Sequence, residues 1–194
     1  MNLRMRAKRL PADALLGTYP RLILLVLAAA ALLLAAAGCG GGDPDIFAKR
    51  GRSLEIHSTP PEIVDRVAYT GADGRHRVIR PIASNRRIAV AKVTIVNRTT
   101  TVVPLLVDEA AAEIGDRRSR RVEAVDPVGT AEFVDSAGDD SNLYTPFLWG
   151  DIELARQTQV SGWMVFDVPQ GMTLGTLWWN EVDDILLDYI DYHR

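Results

Sequence analysis

The 194-residue sequence predicts an all-β domain, built as an antiparallel β-sandwich, behind an N-terminal apolar helix. Three observations carry that expectation. Runs of roughly five to eight residues rich in Val, Ile and aromatics recur at short spacing, punctuated by Gly, Asp and Pro. No convincing helical period interrupts them, and no unit of about 20–50 residues repeats, which excludes a solenoid or propeller. One long apolar block stands apart from all of this, near the N-terminus.

That block is Leu22–Ala37 (LILLVLAAAALLLAAA), sixteen uncharged residues preceded by Arg4, Arg6, Lys8, Arg9 and Arg21. As a helix it measures about 24 Å, short of the roughly 30 Å hydrocarbon core. A basic flank, a short apolar run and small residues after it make a secretory signal. The basic flank stays in the cytoplasm, so the rest of the chain is expected outside it. An uncleaved signal anchor would place the domain on the same side.

The small residues end in Ala36-Ala37-Gly38-Cys39, and Cys39 is the one cysteine of the chain. This stretch resembles the bacterial lipoprotein signal, although Ala36 stands where that family usually has Leu. The resemblance implies a diacylglyceryl thioether on Cys39 and cleavage just before it. Two or more acyl chains anchor a protein stably where one does not. Residues 1–38 would then be the signal peptide. Residues 39–61 would be a flexible tether and stalk, opened by Gly40-Gly41-Gly42. Residues 62–194 would be the folded domain, with its core at about 87–190.

Composition narrows the function. Beyond residue 38 there are 17 basic and 24 acidic residues, and from Ala131 onward only Arg156 and Arg194 are basic. Such a domain repels phosphate backbones, so no nucleic-acid partner is expected. A single cysteine excludes an intrachain disulfide and a Cys-rich zinc site.

The elements follow in order. Asp43–Pro61 is polar and broken by Pro and Gly, a stalk with at most a short strand near Leu54–Ile56. Val67–Tyr69 and Arg77–Ile82 flank TGADGR and predict a hairpin. Arg87–Asn97 (RIAVAKVTIVN) is the strongest strand, and Asn97-Arg98-Thr99 reads as a turn rather than a glycosylation site. Val102–Val107 follows, with Pro104 pointing to an edge or a bulge. Ala110–Glu113 has helix-forming composition, yet a strand entering a Gly115-Asp116 turn and leaving through Arg120–Val125 suits the pattern better. Asp126–Tyr144 reads as loop. Gly162–Pro169 is a strand with Met164, Phe166 and Val168 on one face and Trp163, Val165 and Asp167 on the other. Leu174–Trp179 and Asp184–Ile190 close the chain.

From about Arg87 to Tyr189 the order of features resembles a bacterial immunoglobulin-like domain of unknown function. That domain is common on exported lipoproteins and related in fold to a secreted mycobacterial antigen. The residues that carry the likeness are the strand ending in Asn97, the Gly115-Asp116 turn, Leu154–Val160 (LARQTQV) and Gly162-Trp163 before Val165–Pro169. Where members often have Pro-Gly, this chain has Ala155-Arg156-Gln157. The resemblance implies an immunoglobulin-like sandwich outside the cytoplasm, with binding or assembly as its role and no catalytic residues to carry over.

Chemistry-bearing patterns are few. His57, His76 and His193 are scattered. No G-x-S-x-G, phosphate-cradling glycine loop or His-Glu-x-x-His occurs, so an enzyme is not expected. The best polar constellation is Asp135, Asp139, Asp140 and Asn142 in DSAGDDSN. Carboxylates among small residues suit a hard cation such as Ca²⁺, and they keep a metal-dependent envelope hydrolase as the rival reading. A second acidic set (Glu181, Asp183, Asp184, Asp188) is expected on a hairpin turn and a strand's outer face. Trp178 and Trp179 are neighbours in a strand and must face opposite ways. One of them at the surface would suit a carbohydrate or an envelope protein. Arg117, Arg118, Arg120 and Arg121 form a basic run at a predicted hairpin tip, where anionic lipid headgroups or an acidic partner could meet it. The expected whole is a lipid-anchored, extracytoplasmic, non-catalytic binding or scaffolding module on the cell membrane.

Overall fold

Alternation and turn residues do build strands here, and almost nothing else. The computed structural model describes residues 45–190 apart from 117 and 119. The predicted signal helix, Cys39, its glycine tether and His193 lie outside the described residues. In chain order the strands are β1 (Phe47–Arg50), β2 (Leu54–Ser58), β3 (Glu62–Val64), β4 (Val67–Thr70), β5 (His76–Ile79), β6 (Arg86–Asn97) and β7 (Val102–Val107). A 3₁₀ turn at Glu109–Ala111 precedes β8 (Ala112–Gly115), β9 (Arg121–Glu123), β10 (Glu132–Val134), β11 (Gly150–Ala155), β12 (Gln159–Pro169), β13 (Thr176–Trp179) and β14 (Ile185–Asp188).

The protein is all-β, and every strand ladder is antiparallel. β6 is the organising strand. It pairs with β12 along its whole length, from Arg86 opposite Pro169 to Val96 opposite Gln159. Its other edge is shared, with β3 along the first half and β2 along the second. Ile88, Ala89, Val90 and Ala91 are all fully buried, so this part of β6 has protein on both faces. Ala89, Ala91, Val93 and Ile95 face the larger core, which the β14-β13-β8-β9 sheet and the β7–β11 ribbon close with Ile114, Leu177, Trp179, Val103, Leu105 and Leu154. Ile88 and Val90 face a smaller core closed by the β10-β5-β4 sheet through Val67, Tyr69 and Ile79. Beyond Val90 that second face opens to water at Lys92. The result is sandwich-like, with antiparallel sheets facing each other across apolar layers.

The predicted hairpins form: β4 with β5, β8 with β9, and β13 with β14. In the second, Asp116 makes the turn. Its Oδ1 accepts the backbone N–H groups of Arg118 at 2.8 Å and Arg120 at 3.0 Å, a local side-chain-to-backbone pattern that Asp supplies readily. The helix-forming composition around Ala110 yields only the 3₁₀ turn, whose first N–H groups bond Asp108 Oδ1. Asn97 is fully buried; its Nδ2 donates to the Thr100 and Leu154 carbonyls at 2.7 and 2.8 Å. That anchors the turn after β6.

Two expectations are corrected. The stalk expected over 39–61 is not a stalk from Phe47 onward. β1 and β2 belong to the main sheet, and Leu54 and Ile56 are fully buried against β6. The short strand expected near Leu54–Ile56 does form, as the five-residue β2; what local pattern could not show is that it pairs with β6. The stretch 126–144 is not all loop either, since β10 pairs with β5; three residues are too few to show a period.

Glu55 ties this early strand to the end of β6. Its Oε2 accepts from Arg98 Nε at 2.6 Å, and its Oε1 lies 2.7 Å from His57 Nε2. The Arg98 hydrogen bond, helped by His57, lowers the Glu55 pKa from 4.5 to about 2. A depressed carboxyl stabilises the fold above its unfolded pKa and loses that stabilisation as pH falls through the folded value. Wild type should therefore exceed Glu55→Gln in melting temperature at pH 6, and the gap should close between pH 4.5 and about 2. Melts across that range, followed by circular dichroism, read it directly. A constant gap would remove Glu55 from the account.

Candidate functional site

The acidic loop was the first candidate, and the structure takes it apart. Asp140 receives both forks of Arg66, Nη2 to Oδ1 at 2.7 Å and Nε to Oδ2 at 3.2 Å. The Arg66 guanidinium holds its carboxyl below the usual aspartate range. Asn142, in the left-handed region at φ 65°, lies along the open edge of β4. Its N–H donates to the Ala68 carbonyl, and its Oδ1 accepts the Thr70 N–H, each at 2.9 Å. It thereby stands in for a further strand. Asp135 and Asp139 are exposed. Among the described residues no group of three or more His, Cys, Asp or Glu could hold a metal ion. The four residues proposed as calcium ligands thus do not converge, because ion pairing and edge capping use Asp140 and Asn142.

What the loop does build is one wall of an open groove of about 400 Å³. Ile63 and Leu143 form exposed apolar rims, and Arg66, Asp140 and Tyr144 line it. Tyr144 packs edge-on against Trp163, with ring centroids 5.0 Å apart.

The two adjacent tryptophans separate as strand geometry demands. Trp179 is fully buried in the larger core, and its Nε1 donates to the Glu181 carbonyl at 2.7 Å. Trp178 is half-buried on the outer face, in register with Glu113 of β8 and Leu186 of β14. The Arg121 guanidinium stacks on it, 3.5 Å from the ring centroid. Arg121 also reaches Glu113 Oε2 at 3.2 Å, as does Asn180 Nδ2. Of the proposed pair, only Trp178 stands where a ligand could touch it, and a ligand on that ring face must first displace Arg121. Trp179 belongs to the core.

The basic run loses two of its charges to local partners. Arg120 pairs with Asp116 at 2.6 Å, and Arg121 is the stacked residue. Arg118 is exposed. Of the second acidic set, Asp183 does more than mark a turn. Its Oδ2 accepts the N–H groups of Ser53 and Leu54, at 2.7 and 2.8 Å, and ties the last hairpin to the start of β2. Among the histidines, His57 bonds Glu55 and His76 Nδ1 lies 3.1 Å from Thr70 Oγ1.

Sequence reasoning overlooked one surface. β7 reads VVPLLV, apolar at both parities, with Val103, Leu105 and Val107 buried and Val102, Pro104 and Leu106 exposed. The overlooked signal was that second parity. On a strand with one wet face, the outward positions should have been polar.

No family model, curated protein or solved structure matches the chain. What the molecule defines is an all-β antiparallel protein with a groove, a stacked surface tryptophan and an apolar strand face.

Proposed function

We propose that this chain is a lipid-anchored module of the cell envelope. It is held on the extracytoplasmic face of the membrane, and it binds or scaffolds rather than catalyses. The carrying observation is the stretch LAAAGCGGG, where an apolar run with a basic flank ends at the sole cysteine. A signal peptide removed before Cys39 leaves that residue as the lipid attachment. The antiparallel sheets facing across a common core support the finer, immunoglobulin-like reading of the fold. Membrane lipid is then the partner of the anchor, and an envelope protein or carbohydrate the partner of the domain. Since β1 begins at Phe47, the tether is shorter than 39–61. Eight residues can span at most about 28 Å, which would keep the domain close to the headgroups.

The test is mass spectrometry of the full-length protein extracted from bacterial membranes. The expected mature N-terminus is Cys39 carrying a diacylglyceryl group. Cys39→Ser should abolish lipidation and leave the signal uncleaved. An intact N-terminus from Met1 with unmodified Cys39 sinks the proposal.

A further inference from the structure

Among the described residues, the outer face of β7 is an exposed apolar column. Val102 is 47% exposed, Leu106 49%, and Pro104 lies exposed between them. Successive outward residues stand about 7 Å apart. The neighbouring column on β11 is acidic and in register with it: Asp151 lies opposite Leu106 and Glu153 opposite Pro104, both exposed. Glu181 closes the far side at the Leu106 end.

The edge of β7 is blunted against strand addition at Pro104 and Leu106. The Arg156 N–H donates to the Thr101 carbonyl, so odd-numbered residues bond β11 and even-numbered ones turn their N–H groups outward. Of these, Pro104 has no N–H, and Leu106 gives its own to Glu181 Oε1 at 3.4 Å. A proline and a side-chain cap blunt an edge. What remains available is the face: apolar along β7, acidic along β11 at Asp151 and Glu153, with Glu181 at the Leu106 end.

We infer that this face docks a partner protein through a short segment whose apolar side chains are flanked by lysine or arginine. Apolar side chains would cover Val102, Pro104 and Leu106. Long basic side chains would lay their stems on the same surface and reach Asp151, Glu153 and Glu181. A second copy of this chain would bring the same acids against each other, which disfavours self-association. The inference rests on the binding reading proposed above and gives it a surface, but it does not depend on the lipid.

The test uses the full-length protein in nanodiscs of neutral lipid, with empty discs as the baseline. The probe is a fluorescent, end-blocked peptide of alternating Lys and Val, followed by anisotropy. Saturable binding is expected. Val102→Ser with Leu106→Ser should weaken it at least tenfold, and Asp151→Asn with Glu153→Gln should weaken it severalfold and flatten its salt dependence. A Lys/Ser peptide should bind at least tenfold more weakly. Unchanged melts show that the exposed substitutions leave the fold intact, and Val102→Thr, which keeps the β-branch, serves as a second variant. The inference is overturned if the Val102/Leu106 variant binds as well as wild type. It is overturned too if the Lys/Ser peptide binds equally, since charge alone then suffices, or if sedimentation shows a dimer that Leu106→Ser dissolves. Mass spectrometry of the same preparation reads the Cys39 anchor separately, so failure of the docking face and failure of the anchor are distinguishable.

Discussion

Replacing Trp179 by alanine should cost about 4 kcal/mol of folding stability, while the same change at its neighbour Trp178 should cost about 1 kcal/mol. The two residues share a strand and a side-chain type. They differ in what covers them. Trp179 is fully buried among Ile114, Leu177, Ile185 and Leu187, and its indole N–H is satisfied by the Glu181 carbonyl. Removing it leaves a cavity in the core and takes one of two donors from the Glu181 carbonyl, which keeps the Asp183 N–H at 2.8 Å. Trp178 loses chiefly its stack with Arg121 and a half-buried ring face. Against a typical total of roughly 5–15 kcal/mol, the first change endangers folding and the second does not. Urea unfolding followed by far-ultraviolet circular dichroism separates them. A larger loss at Trp178 would reverse the assignment of the two faces and undo the case for Trp178 as a contact residue.

Gly162→Ala should cost about 3 kcal/mol, from crowding and disturbed backbone hydrogen bonds. A Cβ at Gly162 would stand 2.6 Å from the Leu148 backbone nitrogen and 2.9 Å from the Phe147 carbonyl carbon. These are main-chain atoms, which cannot rotate aside. The segment before β11 runs alongside β12 at this point, in an isolated parallel bridge between Phe147 and Trp163. The Trp163 N–H donates to the Pro146 carbonyl at 2.9 Å, and the Leu148 N–H to the Trp163 carbonyl at 3.0 Å. Gly150→Ala is the useful contrast. Gly150 sits at φ 89°, and a Cβ there would meet nothing within 4 Å, so its cost is backbone strain alone, about 1 kcal/mol. Equal losses at the two sites would show that close approach is not what Gly162 serves.

These two predictions also mark how far the residues could be read unaided. Gly162 was legible as the first residue of a strand, whereas β12 begins at Gln159, and nothing local told which backbone would pass beside Gly162. Pro104 was legible as marking an edge or a bulge, and β7 is an edge of its two-stranded ribbon. The acidic loop was legible as polar and exposed. Its partners were not, because Arg66 and Thr70 lie about seventy residues before Asp140 and Asn142. Composition ranked that loop as the best candidate, whereas geometry moves the interest to Trp178, the groove beside Tyr144 and the outer face of β7.

Side-chain direction along a strand is a local property with a period of two. The sequence by itself therefore determined that Trp178 and Trp179 part ways and that Met164, Phe166 and Val168 act together. Burial is a property of pairs of strands far apart in the chain. Only the tertiary structure decided that Trp179 is the inner tryptophan, that Leu54 and Ile56 enter the core beside β6, and that Asp183 fastens the last hairpin to Ser53 and Leu54. A pattern of alternation says that a strand has two faces; the sheet that packs against it decides which one is dry.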